Sequence, residues 1–139
     1  MEVKLDYSIT VDEFLEMVES VGWKSYTREQ IEKALQSIAN KYNANEILLN
    51  ITGGEPLVRK DLFEVMKFAR NLGYHWGMTT NAMLINDENI EKMKETGMTT
   101  ISISLDGLEK SHDEFRGVKG SFVKIIENIK RLKQANFLN

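Results

Sequence analysis

"EILLNITGGEPLVRKDLFEVMKFARNLGYHWGMTT", residues 46 to 80, holds one complete strand, helix and strand unit. Its opening "EILLNIT" (46 to 52) is an apolar run of strand formers that breaks at Gly53, Gly54, Glu55 and Pro56, the chain's single proline. From Lys60 to Leu72 the pattern changes, with Leu62, Phe63, Met66 and Ala69 on one helical face and Gly73 as the stop; "YHWGMTT" (74 to 80) is a strand again. Two strands joined through a helix at this spacing are expected to run parallel, with a right-handed crossover.

The same grammar continues outward. "TTISISL" (99 to 105) is a third strand, so strand starts at 46, 74 and 99 lie 28 and 25 residues apart. Thr27 with Gln30 makes a capping box for a helix reaching to about Tyr42; another helix starts near Asn86 and stops before Gly97; a last one opens at Ser121, carries Phe122, Ile125, Ile126, Ile129 and Leu132, and ends near Ala135. The expected fold class is α/β, built from parallel βαβ units. Residues 1 to 26 read as an added strand and helix: "VKLDYSIT" alternates Val3, Leu5, Tyr7 and Ile9, Thr10 with Glu13 caps a short helix bearing Phe14, Leu15, Met17 and Val18, and "VGWKSY" is a loop.

Composition bounds the function. At 139 residues, 42% apolar and 28% charged, the chain has the make-up of one ordinary globular domain. A net charge of -3 offers no electrostatic basis for nucleic acid or an acidic membrane, and no apolar run approaches a transmembrane span, so neither partner is expected and a cytoplasmic location is. The chain has no cysteine. Disulfides and thiolate-held zinc or iron–sulfur sites are therefore excluded for these residues alone, and no metal site is expected. His75 and His112 read as surface or strand residues, Trp76 and the methionines as core.

The strand faces carry the functional signal. Ile101, Ile103 and Leu105 alternate with Ser102, Ser104 and Asp106; Thr79 falls with Asn81, and Asn50 with Thr52. If these polar positions share one side of the sheet, three strands line a pocket near their carboxyl ends, where open α/β sheets and barrels bind ligands. Gly53 and Gly54 would let backbone approach that ligand, Glu55 could accept from an ammonium or hydroxyl, and Pro56 fixes the turn.

"ITGGEPLVRKDLFEVMKFARNLGY", "TTNAMLI" and "ISISLDGLEKSHDEFRG", in this order and spacing, resemble the core of radical S-adenosylmethionine (radical SAM) enzymes over about residues 29 to 137, closest to peptide- and cofactor-maturing members. The resemblance implies a partial (β/α)6 barrel, of which residues 27 to 139 would be a part, that binds S-adenosylmethionine inside. It implies that Gly53, Gly54, Glu55 and Pro56 meet the cofactor's amino group, that Ser104 and Asp106 face the ribose and the interior, and that Arg116 pairs with the cofactor carboxylate. Asn81 lies at the next strand end, where many relatives have glycine at the position of Ala82. The family's [4Fe-4S] cluster, which drives reductive cleavage to a 5′-deoxyadenosyl radical, needs a Cys-x3-Cys-x2-Cys loop that this sequence does not have.

Residues 6 to 35 instead resemble the start of GNAT-type N-acetyltransferases, around "VGW", without the acetyl-CoA loop of that family. The expectation is thus a fragment or chimera of a radical SAM enzyme, inactive in cleavage by itself, with residues 1 to 26 of separate character. A non-catalytic engineered or recombined scaffold and an acetyltransferase-like protein are the alternatives, and whether the chain is an enzyme stays open. Because the chain stops where a further strand is due, self-association through an open sheet edge is expected.

Overall fold

The computed structural model describes residues 26–137; the expected N-terminal strand and helix, Met17 and Trp23 lie outside the described residues. Helix α1 (Arg28–Ala39) opens on the expected capping box: the Thr27 hydroxyl accepts from the Gln30 N–H, and the Gln30 side chain accepts from the Thr27 N–H. After a 3-10 turn, Ala44–Glu46, comes β1 (Leu48–Ile51), then a second 3-10 turn, Pro56–Val58. The chain continues through α2 (Leu62–Asn71), β2 (His75–Thr80), α3 (Asp87–Glu95), β3 (Met98–Ile103), α4 (Glu109–Arg116) and α5 (Ser121–Gln134). The three strands are parallel in the order β1-β2-β3, as the crossover argument requires.

Register settles the question of the faces. Asn50 pairs with Gly77 and Gly77 with Thr100, while Thr79 pairs with Ser102. These polar positions therefore lie in neighbouring rows on one side of the sheet. The opposite side carries Ile51, Trp76, Met78 and Thr80, all buried, and the half-buried Ile101 and Ile103. Helices cover that side; Asn50, Thr100 and Ser102 are exposed on the other. A parallel sheet that is covered on both faces reads as continuously apolar; this one alternates, and among the described residues no helix covers its second face.

The core is built on the covered face. Val65, Met66 and Ala69 of α2, Ile90 and Met93 of α3, and Ile125 and Leu132 of α5 pack with Trp76 and Met78. Burial of each large side chain contributes about 1.5–3 kcal/mol. Trp76 donates its indole N–H to the Thr96 carbonyl at 3.0 Å. Tyr74 donates to the Leu35 carbonyl at 2.8 Å, and burial pushes its phenol up to about 12. Met66, Met78, Met93 and Met98 are core residues, as read from the sequence.

One helix and one histidine differ from expectation. Helix α4 went unrecognised because it has no apolar stripe; its single buried residue is His112. His112 is neither a strand nor a surface residue: it is fully buried, packed edge-on against the Phe122 ring at 6.0 Å. Among the described residues no helix is long and apolar enough to cross a membrane.

Candidate functional site

The carboxyl ends of β1, β2 and β3 bring the predicted residues to one end of the sheet. After β1, Gly53 takes φ +136°, a conformation that L side chains rarely adopt, and among the described residues a Cβ at Gly53 or Gly54 would meet nothing within 4 Å. Among those residues the two glycines have no packed neighbour where a Cβ would sit, which suits close approach by a ligand. Pro56 is buried at the start of its 3-10 turn, and Glu55 caps that turn by accepting from the Leu57 N–H at 3.2 Å.

Glu55 does more than cap. Its Oε1 accepts from the Thr80 hydroxyl at 2.7 Å and its Oε2 from the Asn81 backbone N–H at 2.8 Å. A carboxylate offers about four acceptor positions. The Leu57 and Thr80 bonds fill both on Oε1, so one position on Oε2 is left for a ligand. A single cationic donor suits it, because a charge-assisted bond is about twice as strong as a neutral one.

The loop after β2 is held from three sides. Thr80 Oγ1 accepts from the Ala82 N–H at 3.0 Å, the Asn81 side chain accepts from the Met83 N–H at 2.9 Å, and the buried Asn128 of α5 donates to the Ala82 carbonyl at 2.8 Å. Ala82 sits at φ 58° with no exposed surface, so this loop takes at an alanine the left-handed turn that glycine adopts without strain. After β3, Ser104 extends the ladder by donating its N–H to the Thr80 carbonyl at 3.0 Å.

Asp106 and Arg116 meet each other. Arg116 Nε donates to Asp106 Oδ2 at 2.6 Å, and the Asp106 backbone N–H donates to His112 Nδ1 at 3.1 Å. With Nδ1 accepting, a neutral His112 carries its proton on Nε2, which has no partner among the described residues. Arg116's two terminal nitrogens likewise carry no partner there, so a ligand carboxylate could be met without breaking the pair with Asp106. Sequence reasoning placed both residues near the site and missed that α4 folds them together. It also missed Thr80, whose hydroxyl on an otherwise apolar row, beside Trp76 and Met78, was the available signal.

Comparison with known proteins decides the family: the sequence matches the radical SAM superfamily over residues 14–139. This chain belongs to that superfamily. It is 36% identical over 91 residues to the AdoMet-dependent heme synthase of Methanosarcina barkeri, covering 65% of this chain and 26% of that protein. Similarity to the sporulation killing factor maturation protein SkfB of Bacillus subtilis is 33% over 88 residues, 63% of this chain and 22% of the relative. For the probable GTP 3',8-cyclase of Saccharolobus solfataricus it is 40% over 96 residues, 67% and 30%. The radical SAM chain therefore spans about a quarter of the length of these relatives. The superfamily match takes in most of the stretch that resembles an acetyltransferase, and acetyl transfer is not favoured.

The two groups associated with radical SAM proteins fare differently against these residues. The sequence has no thiolate, and among the described residues no group of three or more His, Cys, Asp or Glu could hold a metal ion. A [4Fe-4S] cluster does not fit this donor set. The glycine turn, the Glu55 acceptor and the Arg116 terminal nitrogens are the kinds of group that an ammonium and a carboxylate require, as at the amino-acid end of S-adenosylmethionine.

Proposed function

We propose that this chain forms the S-adenosylmethionine-binding wall of a radical SAM protein of cofactor or peptide maturation, and that residues 1–139 alone bind that molecule without cleaving it. The observation that carries the reading is Glu55, fixed by Thr80 and Asn81 with one acceptor position left beside an open Gly53–Gly54 turn. S-adenosylmethionine supplies, when bound, an ammonium and a carboxylate on one carbon, a sulfonium and ribose hydroxyls. Glu55 accepts from the ammonium, the Arg116 terminal nitrogens take the carboxylate as a fork, and Ser104 with Asp106 serves the ribose side. Gly53 and Gly54 keep the backbone free of side chains where the ligand enters, and Pro56 holds the turn that presents them.

Without a cluster iron to chelate the amino-acid end, affinity should be weak, about millimolar, or roughly -4 kcal/mol. Titration calorimetry or NMR titration should find binding at that level, lost in Gly54→Val, which adds a side chain in open space, and weakened in Arg116→Ala. Micromolar affinity indifferent to both substitutions would put the site elsewhere. Anaerobic reconstitution with iron and sulfide should leave the chain without the broad visible absorption of a four-iron cluster; its appearance would overturn the non-cleaving half of the reading.

A further inference from the structure

We propose that Thr80 is a positioning residue for Glu55: its hydroxyl aims the carboxylate so that the one open acceptor on Oε2 meets the ligand's ammonium. The inference rests on the binding reading above and adds a residue to it. Thr80 is 1% exposed, on the helix-covered row of β2, where a hydroxyl is tolerated only if it finds partners. A threonine in a strand commonly satisfies itself on nearby backbone. Thr80 does that with one hand, accepting from the Ala82 N–H two residues on, and with the other it reaches Glu55, 25 residues away on the neighbouring strand's exit turn.

The directions of these bonds matter. Because Thr80 Oγ1 accepts from Ala82, its proton is free to point at Glu55, and the chain Ala82 N–H to Thr80 O–H to Glu55 Oε1 is polarised one way. The Asn81 N–H takes Oε2 at 2.8 Å, so residues 80 and 81 hold both carboxylate oxygens from one strand end. Rotation of the carboxylate would give up the Thr80 bond and the Asn81 bond together. Removing only the hydroxyl, as in Thr80→Val, keeps the volume, strips Oε1 of its shortest bond and strands the buried Ala82 N–H. The carboxylate can then turn, and the acceptor meant for the ligand is no longer presented in one place.

The test uses S-adenosylmethionine with wild type, Thr80→Val, Thr80→Ser, Glu55→Gln and the Thr80→Val/Glu55→Gln double variant, with amide exchange at Asn81 followed in each. We expect Thr80→Val to weaken binding about tenfold, the scale of one hydrogen bond to a charged group. Thr80→Ser should restore it. In the Glu55→Gln background Thr80→Val should weaken binding no further, because its effect passes through Glu55; a merely structural role would weaken both backgrounds equally and would overturn the proposal. Asn81 exchange should be slow in wild type and Thr80→Ser and faster in Thr80→Val. If wild type binds no S-adenosylmethionine at all, the binding reading fails by itself. The positioning role is then decided by the exchange data: unchanged Asn81 protection in Thr80→Val refutes the hold on Glu55, and lost protection that serine restores supports it. Should Thr80→Val not fold, Thr80→Cys, whose thiol is a weak donor, carries the same comparison in both Glu55 backgrounds: weaker binding and faster Asn81 exchange where Glu55 is present support the proposal, and unchanged behaviour in both refutes it.

Discussion

Gly77 sits in the middle of β2, where a bare Cα weakens a strand unless something else needs the space. Thr100 on β3 occupies it: a Cβ at Gly77 would collide with the Thr100 hydroxyl and backbone oxygen, beside the register shift between Trp76 and Gly77. Gly77→Ala should therefore destabilise the chain by about 1–3 kcal/mol through overpacking. Urea unfolding is the measurement, and a loss under about 0.5 kcal/mol would mean that Thr100 moves aside at little cost. Gly53 is the counter-example within the same molecule. Among the described residues nothing lies where its Cβ would be, so its claim to be glycine rests on φ and on what approaches it.

Helices α4 and α5 are joined by the hydrogen bonds of one carboxylate, beside the ring contact of His112 with Phe122. Gly120, the residue before α5, has no side chain to cap the helix, and Asp113 of α4 takes that part: it accepts from the Gly120 N–H, from the Phe122 N–H at 3.0 Å and from the Ser121 hydroxyl at 2.8 Å. The Phe122 and Gly120 amides hold its carboxyl below the ordinary 3.8. A folded-state pKa that is depressed gives stabilisation present above the unfolded value and lost as pH falls through the folded one. The α4–α5 junction should accordingly loosen only in acid below the ordinary carboxylate range, seen as moving Gly120 and Phe122 amide signals. Asp113→Asn should show the loosened signals already at neutral pH, and flat signals through the acid range in wild type would refute the cap. The strands and the helices α2 and α5 were legible in the sequence, since alternation and a 3.6-residue stripe are repeated signals along the chain. The polar face was legible for the same reason, from Ser102 and Ser104 set against Ile101 and Ile103. Helix α4 was not, because Leu108 and Phe115 face solvent at 81% and 74% exposure and leave no stripe to read. With α4 unseen, the joining of Asp106, His112 and Arg116 could not be inferred, for it depends on a helix turning Arg116 back over ten residues.

Taken as a whole, the described part of the molecule has two sheet edges, one on β1 and one on β3, with no strand paired beyond either among the described residues. Leu105, Leu108, Phe115 and Val118 add exposed apolar surface after β3. Unpaired edge groups next to apolar side chains favour pairing with another chain, and we expect a dimer or larger assembly of the chain 1–139. Light scattering at high micromolar concentration checks this; a monomer with slow amide exchange through residues 99 to 105 would mean that the β3 edge is covered from within. The one-sided sheet has a different consequence, for descent with modification. What holds the fold together hangs from Ile51, Trp76 and Met78, and Asn50, Thr79, Thr100 and Ser102 project from the reverse of the same strands. Mutations can accumulate at the exposed Asn50 and Ser102 with little penalty to the buried set, so a library randomised at these two positions should retain mostly folded members by urea unfolding, and that face is free to change without loss of the fold.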